Sequence, residues 1–172
     1  MLKLFSPLTI KEITLKNRIV TSPMCQYSAL DGYANDWHLV HLGTRAVGGV
    51  GLVVAEATAV LPEGRITPGD LGLWSDSHID GLKRITEFIH KQGAVAAIQI
   101  AHAGRKASCA VPWKGGRQLD EKNGGWQTVA PGDIPFLPGE RIPEPLSREG
   151  IQRIVSGFAE AAIHAEVFTR DP

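Results

Sequence analysis

Two apolar runs decide the fold: GVGLVVAEA at residues 49–57 and AVAAIQIA at residues 94–101. The first is rich in Val and Gly and the second in Ala and Ile, and each contains a single polar residue. This pattern favours strands covered on both faces, as in a parallel sheet. A third, shorter apolar strand is predicted in RIVTSPM at residues 18–24, where Pro23 ends it. The sequence therefore predicts three parallel strands.

Helices are predicted between and after these strands. Asn35-Asp36 can cap the first helix and Gly48-Gly49 ends it, while Ser77 starts the second and Gly93 closes it. Ser147 caps a third helix. The apolar stripes of the three helices at helical spacing are Leu39, Leu42 and Ala46; Leu82, Ile85 and Ile89; and Ile151, Ile154, Val155, Phe158, Ala162 and Ile163.

The order of these elements predicts an α/β fold. Strand and helix alternate three times, which implies right-handed βαβ units, and LTIKEITLKNRIV at residues 8–20 predicts an N-terminal β-hairpin. The pattern fits an open doubly wound sheet or part of a (β/α)8 barrel. Because a complete barrel takes about 200–250 residues, a chain of 172 residues is expected to form an incomplete one. Residues 58–76 and the Gly- and Pro-rich residues 102–146 are predicted loops, the second a functional excursion.

Composition excludes several classes of function. The chain is 43% hydrophobic and 21% charged, and its 18 basic and 18 acidic residues cancel. A neutral chain with scattered basic residues favours neither nucleic acid nor an anionic membrane as a partner. No apolar run has the roughly 18 residues of a membrane span, and the N-terminus lacks the apolar core of a signal peptide, so we expect a cytoplasmic protein. Two cysteines predict neither a disulfide framework nor a zinc site.

Three segments at the carboxyl ends of the predicted strands can carry chemistry, because ligands gather at that end of parallel sheets. They are residues 23–27, residues 56–58 and residues 99–105. A flat heteroaromatic ring needs a small residue such as Ala57 beside it, and Gln99 can both donate to and accept from the imide edge of a flavin. On this chemistry alone a flavin site is one of several options.

Each of these features has a competing structural interpretation. Cys25 is either a thiol beside a flavin or a buried structural thiol, and no His is placed to make it a protease nucleophile. Gly48 to Gly51 precede a strand, which favours a helix-to-strand turn over a dinucleotide motif. His38 and His41 have no third ligand beside them, which favours helix packing over metal binding. Two pairs in the long loop could either serve a ligand or shape the loop: Arg105 with Lys106, and Trp113 with Trp126.

The stretch from Leu4 through Ser108 resembles the Old Yellow Enzyme family of NADH:flavin oxidoreductases, in particular its bacterial xenobiotic-reductase and ene-reductase branch. PMCQYS and QIAHAGRKA are its most specific motifs. The segments that carry the resemblance are LFSPLTI (4–10), LKNRIVTSPMCQYSA (15–29), DWHLVHLGTRAVGGVGLVVAEATAV (36–60) and AIQIAHAGRKA (97–107). It implies the N-terminal portion of a TIM (β/α)8 barrel, with about three βα units in a single partial domain over residues 1–172.

The resemblance also implies a cofactor and a reaction. Pro23, Met24 and Cys25 would lie against FMN, Ala57 would donate its amide to the ring, and Gln99 would bond the pyrimidine edge. Cys25 would tune the flavin potential and Tyr27 would donate a hydrogen bond to the substrate; no metal is implied. NADPH or NADH would be the reductant, and the substrate a small enone, an α,β-unsaturated carbonyl with an activated C=C bond, or a nitro compound.

The end of the sequence departs from the family. The His pair that serves as the family's proton relay is not matched, since His164 continues a helical stripe, and residues 167–172 do not follow the pattern. We therefore expect a truncated barrel whose missing phosphate-binding segments weaken or abolish FMN binding, which leaves a catalytically inactive fragment as the alternative. The open sheet edge favours self-association into a homo-oligomer or pairing with another chain.

Overall fold

Eight strands and three α-helices occur in the part of the chain that the structure, a computed structural model, describes: residues 3–169. The strands are β1 (Leu8–Ile10), β2 (Ile13–Leu15), β3 (Val20–Thr21), β4 (Leu52–Ala59), β5 (Leu71–Gly72), β6 (Val95–Ala101), β7 (Val129–Ala130) and β8 (Glu144–Pro145). The helices are α1 (Asp36–Val47), α2 (Ile79–Lys91) and α3 (Arg148–Thr169).

The central sheet confirms the predicted α/β fold. Strand β4 lies in the middle and pairs in parallel with β3 on one side and β6 on the other. Helix α1 connects β3 to β4 and helix α2 connects β4 to β6, so each crossover places a helix against the sheet. Three parallel strands with their crossover helices form an arc of a (β/α)8 barrel, which is the incomplete barrel that the sequence predicted.

The N-terminal hairpin is also confirmed. Strands β1 and β2 pair antiparallel, with Leu8 opposite Leu15 and Ile10 opposite Ile13. Leu15 is buried, and it lines a cavity with Leu52 and Val95 from the beginnings of β4 and β6. The hairpin therefore lies at the amino-terminal end of the sheet and leaves the opposite end to the loops.

Two apolar clusters pack the helices against the sheet and its loops. The first joins α1 and α2 to β4 and β6 and contains Leu42, Ala46, Val53, Ala55, Ile85, Ile89, Ala94 and Ala96. The second joins α2 and α3 to the loops after β4 and contains Ala29, Val60, Leu71, Leu73, Leu82, Ala161 and Phe168. The predicted stripes of α1 and α2 are thus confirmed as packing faces, since Leu42, Ala46, Leu82, Ile85 and Ile89 are all buried.

The predicted inner face of α3 is wrong in part. Ser147 begins this helix as predicted, with its hydroxyl accepting from the Gly150 amide at 3.1 Å. Ile151, Val155 and Ile163, however, are 51%, 54% and 62% exposed, and the buried positions are Gly157, Ala161 and Phe168. The reason is close backbone packing: a side chain at Gly157 would lie 3.1 Å from Leu61 and 3.2 Å from the Val60 carbonyl. A small residue therefore sets the contact face where spacing had favoured the larger ones.

The loop predicted over residues 58–76 contains structure that its Gly and Pro content hid. Strand β4 continues to Ala59, and β5 returns to pair with its end, Thr58 opposite Leu71. The second helix is also capped earlier than predicted. Ser75 accepts from the Ser77 amide and begins a 3-10 turn at 76–78, which leads into α2 at Ile79.

Candidate flavin site

The three predicted segments meet at the carboxyl end of the sheet. Ala57 on β4 stands in register with Gln99 on β6, and the chain from β3 runs past them as residues 22–27. The ladder between β4 and β6 shifts between Ala55 and Ala57, which makes Glu56 a bulge residue. The bulge turns Glu56 inward beside Ala57 and brings its carboxylate to the segment that follows β3.

The Cys25 thiol is held within this meeting point. It is half-buried, beside the Ala57 backbone amide and the Tyr27 hydroxyl. Burial raises the pKa of the Cys25 thiol above its usual range, and the charges of Asp70 and Glu56 raise it further. A thiol with a raised pKa is protonated at neutral pH, so Cys25 is poised as a polarisable neighbour instead of a nucleophile.

Tyr27 lies at the rim of the site in a constrained backbone conformation. Its φ of 51° is in the left-handed region, and its ring meets the indole of Trp113 edge-on with centroids 5.8 Å apart. Burial, followed by the charges of Cys25 and Asp70, raises the pKa of Tyr27 to about 12. The phenol therefore remains a proton-bearing donor across the physiological range.

The side chains that would face a ring are open to a ligand. Gln99 and Met24 are exposed, while Pro23 and Ala57 are half-buried beside them. The Gln99 side-chain amide makes no hydrogen bond to another group within residues 3–169, so its donors and acceptor are free. A small Ala57, a free Gln99 amide and a neutral thiol fit the flat, edge-bonded flavin that the sequence suggested.

Glu56 lies in one of the three predicted segments, but the sequence analysis assigned it no role. It is 3% exposed, and its Oε2 accepts from the Gln26 backbone amide at 2.8 Å. Its Oε1 is buried without a partner among the described residues. Burial raises the pKa of Glu56 to about 7, an effect that the Gln26 amide reduces and the charge of Asp70 reinforces. The sequence feature that could have pointed to this role is a single acidic residue within the otherwise apolar run of residues 49–57.

Asp70 was missed as well, and it shapes the loop that supports Tyr27. It is 2% exposed and accepts from the Ile66 amide at 2.8 Å and from the Thr67 amide and hydroxyl at 3.1 and 2.7 Å. This turn places Gly69 so close to Tyr27 that a Cβ there would lie 2.5 Å from the Tyr27 carbonyl oxygen. The turn is therefore a fixed support for the backbone of Tyr27.

The long loop of residues 102–146 contains short 3-10 turns and the parallel pair of β7 and β8. Its two tryptophans have different roles. Trp113 contacts Tyr27, whereas Trp126 donates to the Glu63 carbonyl at 2.9 Å and lies 5.1 Å from the Arg65 guanidinium. Trp113 thus borders the site, and Trp126 fastens the loop to the rest of the protein.

Arg105 and Lys106 border a cavity of about 430 Å³ between residues 103–106 and 130–134. Arg105 donates to the Ile134 carbonyl at 3.2 Å, and the Lys106 ammonium lies 4.9 Å from the ring centre of Phe136. Both contacts fasten the loop, as one of the two interpretations of this pair requires. Cys109, the second thiol, is half-buried in the same loop.

Two of the histidines make local polar contacts. His164 lies within α3 as predicted, with its Nε2 2.9 Å from Asp76 and its Nδ1 3.3 Å from the Leu73 carbonyl oxygen. His38 is buried, and its Nδ1 accepts from the Asn35 amide at the start of α1. No cluster of three metal-binding side chains occurs within residues 3–169. In the same span, no helix is long and apolar enough to cross a membrane.

Comparison with known proteins agrees with this architecture. Morphinone reductase is 28% identical with a TM-score of 0.80 over 98% of this chain and 46% of its own. The Old Yellow Enzyme homologue from Zymomonas mobilis is 25% identical, with a TM-score of 0.79 over 98% and 46% of the two chains. The Old Yellow Enzyme from Trypanosoma cruzi is 26% identical, with a TM-score of 0.77 over 97% and 48%.

The chain spans less than half the length of these structures. Its sequence matches the profile of the NADH:flavin oxidoreductase / NADH oxidase family over residues 3–169, which covers nearly the whole chain and includes all three segments of the candidate site. The resemblance that PMCQYS and QIAHAGRKA suggested is therefore confirmed, and the chain belongs to the NADH:flavin oxidoreductase / NADH oxidase family, as the barrel's N-terminal portion in Old Yellow Enzyme-type proteins.

Proposed function

We propose that this chain provides the flavin-facing part of an FMN-dependent NAD(P)H oxidoreductase of the ene-reductase type. The observation that carries the proposal is the register of Ala57 with Gln99, with the Cys25 thiol beside the Ala57 amide. This arrangement brings together, at one end of the sheet, a small residue that lets a ring approach the backbone (Ala57), a free side-chain amide (Gln99) and a neutral thiol (Cys25). These are the groups that a flavin ring requires on one side.

The proposed cofactor contacts come from three strands. Pro23, Met24 and Cys25 would lie against FMN, Gln99 would bond its pyrimidine edge, and Ala57 would donate its amide. FMN supplies the hydride chemistry when it is bound, and the protein orients it.

Tyr27 is the proposed substrate-binding residue and, with Cys25, one of the two proposed catalytic residues. A phenol that stays protonated can donate to the carbonyl oxygen of an enone or to a nitro group, and this polarises the acceptor for hydride addition. The Tyr27 phenol lies beside the Cys25 thiol. Trp113 would exclude water from one side of the bound substrate.

The proposed reductant is NADPH or NADH. Morphinone reductase, 27% identical to this chain, has been solved in complex with tetrahydroNAD, and the Old Yellow Enzyme structure called TcOYE has been solved with pHBA. Those ligands belong to those proteins. They support a nicotinamide reductant and a small aromatic or carbonyl-bearing ligand as the first compounds to test here.

A second candidate is a barrel fragment with weak or no FMN binding and no activity. The observation in its favour is that β6 pairs on one side only within residues 3–169, so the described part of the site has one open side. For both candidate functions we propose a single partial domain, in which residues 102–146 form a long loop beside the site. The open side of β6 also supports a homo-oligomer.

Flavin binding separates the two candidates. Purified protein would be titrated with FMN while flavin absorbance and fluorescence are recorded, and NADPH would then be added without oxygen. Bleaching of bound FMN supports the oxidoreductase, whereas free-flavin spectra at saturating FMN support the fragment. Gln99→Ala should weaken FMN binding about ten-fold or more, because a ring-edge hydrogen bond is lost. Gln152→Ala, at an exposed site on α3, is the matched control.

A further inference from the structure

Glu56 is an ionisable residue of the site for which the proposed reaction has no role. It lies at the bulge of β4 and is 3% exposed, yet its Oε2 reaches across to the Gln26 amide, 30 residues away in sequence. Gln26 stands between Cys25 and Tyr27, the two residues whose placement matters most. One carboxylate oxygen therefore holds the middle of the flavin-facing turn.

The other oxygen, Oε1, is buried without a partner among residues 3–169. A buried carboxylate without a counter-charge is costly, and residues retained at such a cost usually serve the site. The charged and titratable groups that face Glu56 are Asp70, Cys25 and Tyr27, and within the described chain none of them is a cation. Arg65 acts on Asp70 instead, so the charge on Glu56 is felt directly by the turn.

Asp70 has a different task. Its side-chain carboxylate accepts three hydrogen bonds, all of them from residues of the turn at 66–70. It therefore shapes the support beneath Tyr27, while Glu56 contacts the flavin-facing segment itself through Gln26. Two buried carboxylates near the same thiol thus act through separate contacts, and this makes them separable by experiment.

We propose that Glu56 is a positioning residue for the flavin site: it fixes the Cys25–Tyr27 turn through the Gln26 amide, and its charge sets the reactivity of the Cys25 thiol. Any effect of Glu56 on the flavin potential, through Cys25, rests on the proposed flavin function. Its effect on the reactivity of the Cys25 thiol needs no flavin. As pH rises through about 7 the carboxyl becomes charged, and the turn then carries a negative charge next to Cys25. Glu56 thereby couples pH to the reactivity of this thiol.

The test is the rate of iodoacetamide alkylation of each cysteine against pH, followed by mass spectrometry. Cys109 is the internal control, because Glu140, Arg117 and Asp70 act on its pKa and Glu56 does not. Glu56→Gln retains an acceptor for the Gln26 amide and removes the charge. At pH 8 it should speed Cys25 alkylation roughly two- to five-fold, since the thiolate is the reactive form. At pH 6, where Glu56 is largely protonated, the two proteins should react alike.

Asp70→Asn separates this effect from a general electrostatic change, since Asp70 raises the pKa of both thiols. It should accelerate both cysteines, whereas Glu56→Gln should accelerate Cys25 alone. Equal rates for Cys25 in the wild type and Glu56→Gln at pH 8, or a parallel change in Cys109, would overturn the proposal. An absence of FMN binding would refute the proposed function and leave this result intact.

The positioning role has its own measurement. Glu56→Ala removes the acceptor as well as the charge, so it should weaken FMN binding several-fold more than Glu56→Gln does. If the two variants bind FMN equally while both remain folded by circular dichroism, the hydrogen bond to Gln26 does not position the turn.

Discussion

The ring of Tyr27 packs edge-on against the indole of Trp113, with ring centroids 5.8 Å apart. The contact joins the segment after β3 to the long loop of residues 102–146 and covers part of the phenol. Burial is the first cause of the raised pKa of Tyr27, about 12, so this contact bears on the ionisation of the site.

We predict that Tyr27 ionises near pH 12 and that Trp113→Ala moves this midpoint toward the ordinary value of 10. Loss of the indole exposes the phenol, and water then stabilises the phenolate. The measurement is phenolate absorbance after rapid pH jumps in a Tyr33→Phe background, which leaves Tyr27 as the one tyrosine of the chain. An unchanged midpoint in Trp113→Ala would show that the indole does not shield the phenol.

Gly69→Ala should destabilise the protein by about 1–3 kcal/mol. The new methyl group would lie 2.5 Å from the Tyr27 carbonyl oxygen and 2.8 Å from its carbon, so the turn or Tyr27 must move. Urea unfolding gives the free energy of unfolding, and FMN titration reports whether Tyr27 has shifted. Gly132→Ala is the control, because a Cβ there meets no atom within 4 Å. Equal unfolding free energies for the two variants would contradict the prediction.

Phe168→Ala should cost about 3–4 kcal/mol of unfolding free energy, whereas Ile163→Ala should change it by less than about 0.5 kcal/mol. Phe168 is 4% exposed in the cluster between α2 and α3, and Ile163 is 62% exposed on the same helix. Chemical denaturation of both variants measures the difference. Comparable losses would mean that the predicted face of α3 packs against the protein as closely as the observed one does.

Glu56 should lower stability as pH rises from about 4.5 to about 7. The pKa of this carboxyl is higher in the folded state than in the unfolded state. Its contribution to the free energy of unfolding is therefore complete at a pH below the unfolded-state pKa, and it is lost as pH rises through the folded-state pKa. Glu56→Gln should remove a loss on the order of 2 kcal/mol from the pH profile of urea unfolding. Parallel profiles for the two proteins would contradict this.

His38 acts in the opposite direction over much of the same pH range. Burial lowers its pKa to about 4 from 6.5, so its contribution is lost as pH falls through that window. The two effects oppose each other in the wild-type profile. The difference between the wild type and Glu56→Gln, with His38 unchanged in both, is therefore the diagnostic curve.

Sequence reasoning recovered the elements whose cause is local. Asn35 caps α1 and Gly93 ends α2 with a positive φ, and both signals lie within a few residues of the boundary they set. The parallel strands were found in the same way, from uninterrupted apolar runs. The family followed from two short motifs, PMCQYS and QIAHAGRKA, and the sequence profile confirmed it.

The features that were missed depend on contacts between distant residues. Strand β5 exists because Leu71 reaches the end of β4, and Glu56 is identified by an amide 30 residues earlier in the chain. The inner face of α3 was assigned wrongly because large residues were preferred, while the close contact at Gly157 selects a small one. The roles of Cys25, Tyr27, Ala57 and Gln99 toward a flavin stay predictions, although the structure brings their strands together.

The one-sided pairing of β6 has a consequence for hydrogen exchange. Amides along a strand alternate in direction, so about half of those in β6 point toward β4 and the others point away from it. Exchange in β6 should therefore alternate between slow and fast with a period of two residues, while β4, flanked on both sides over Leu52 and Val53, should exchange slowly at consecutive positions there. Any strand that comes to lie beside β6 would slow every second amide and so reveal itself without a change in the rest of the protein.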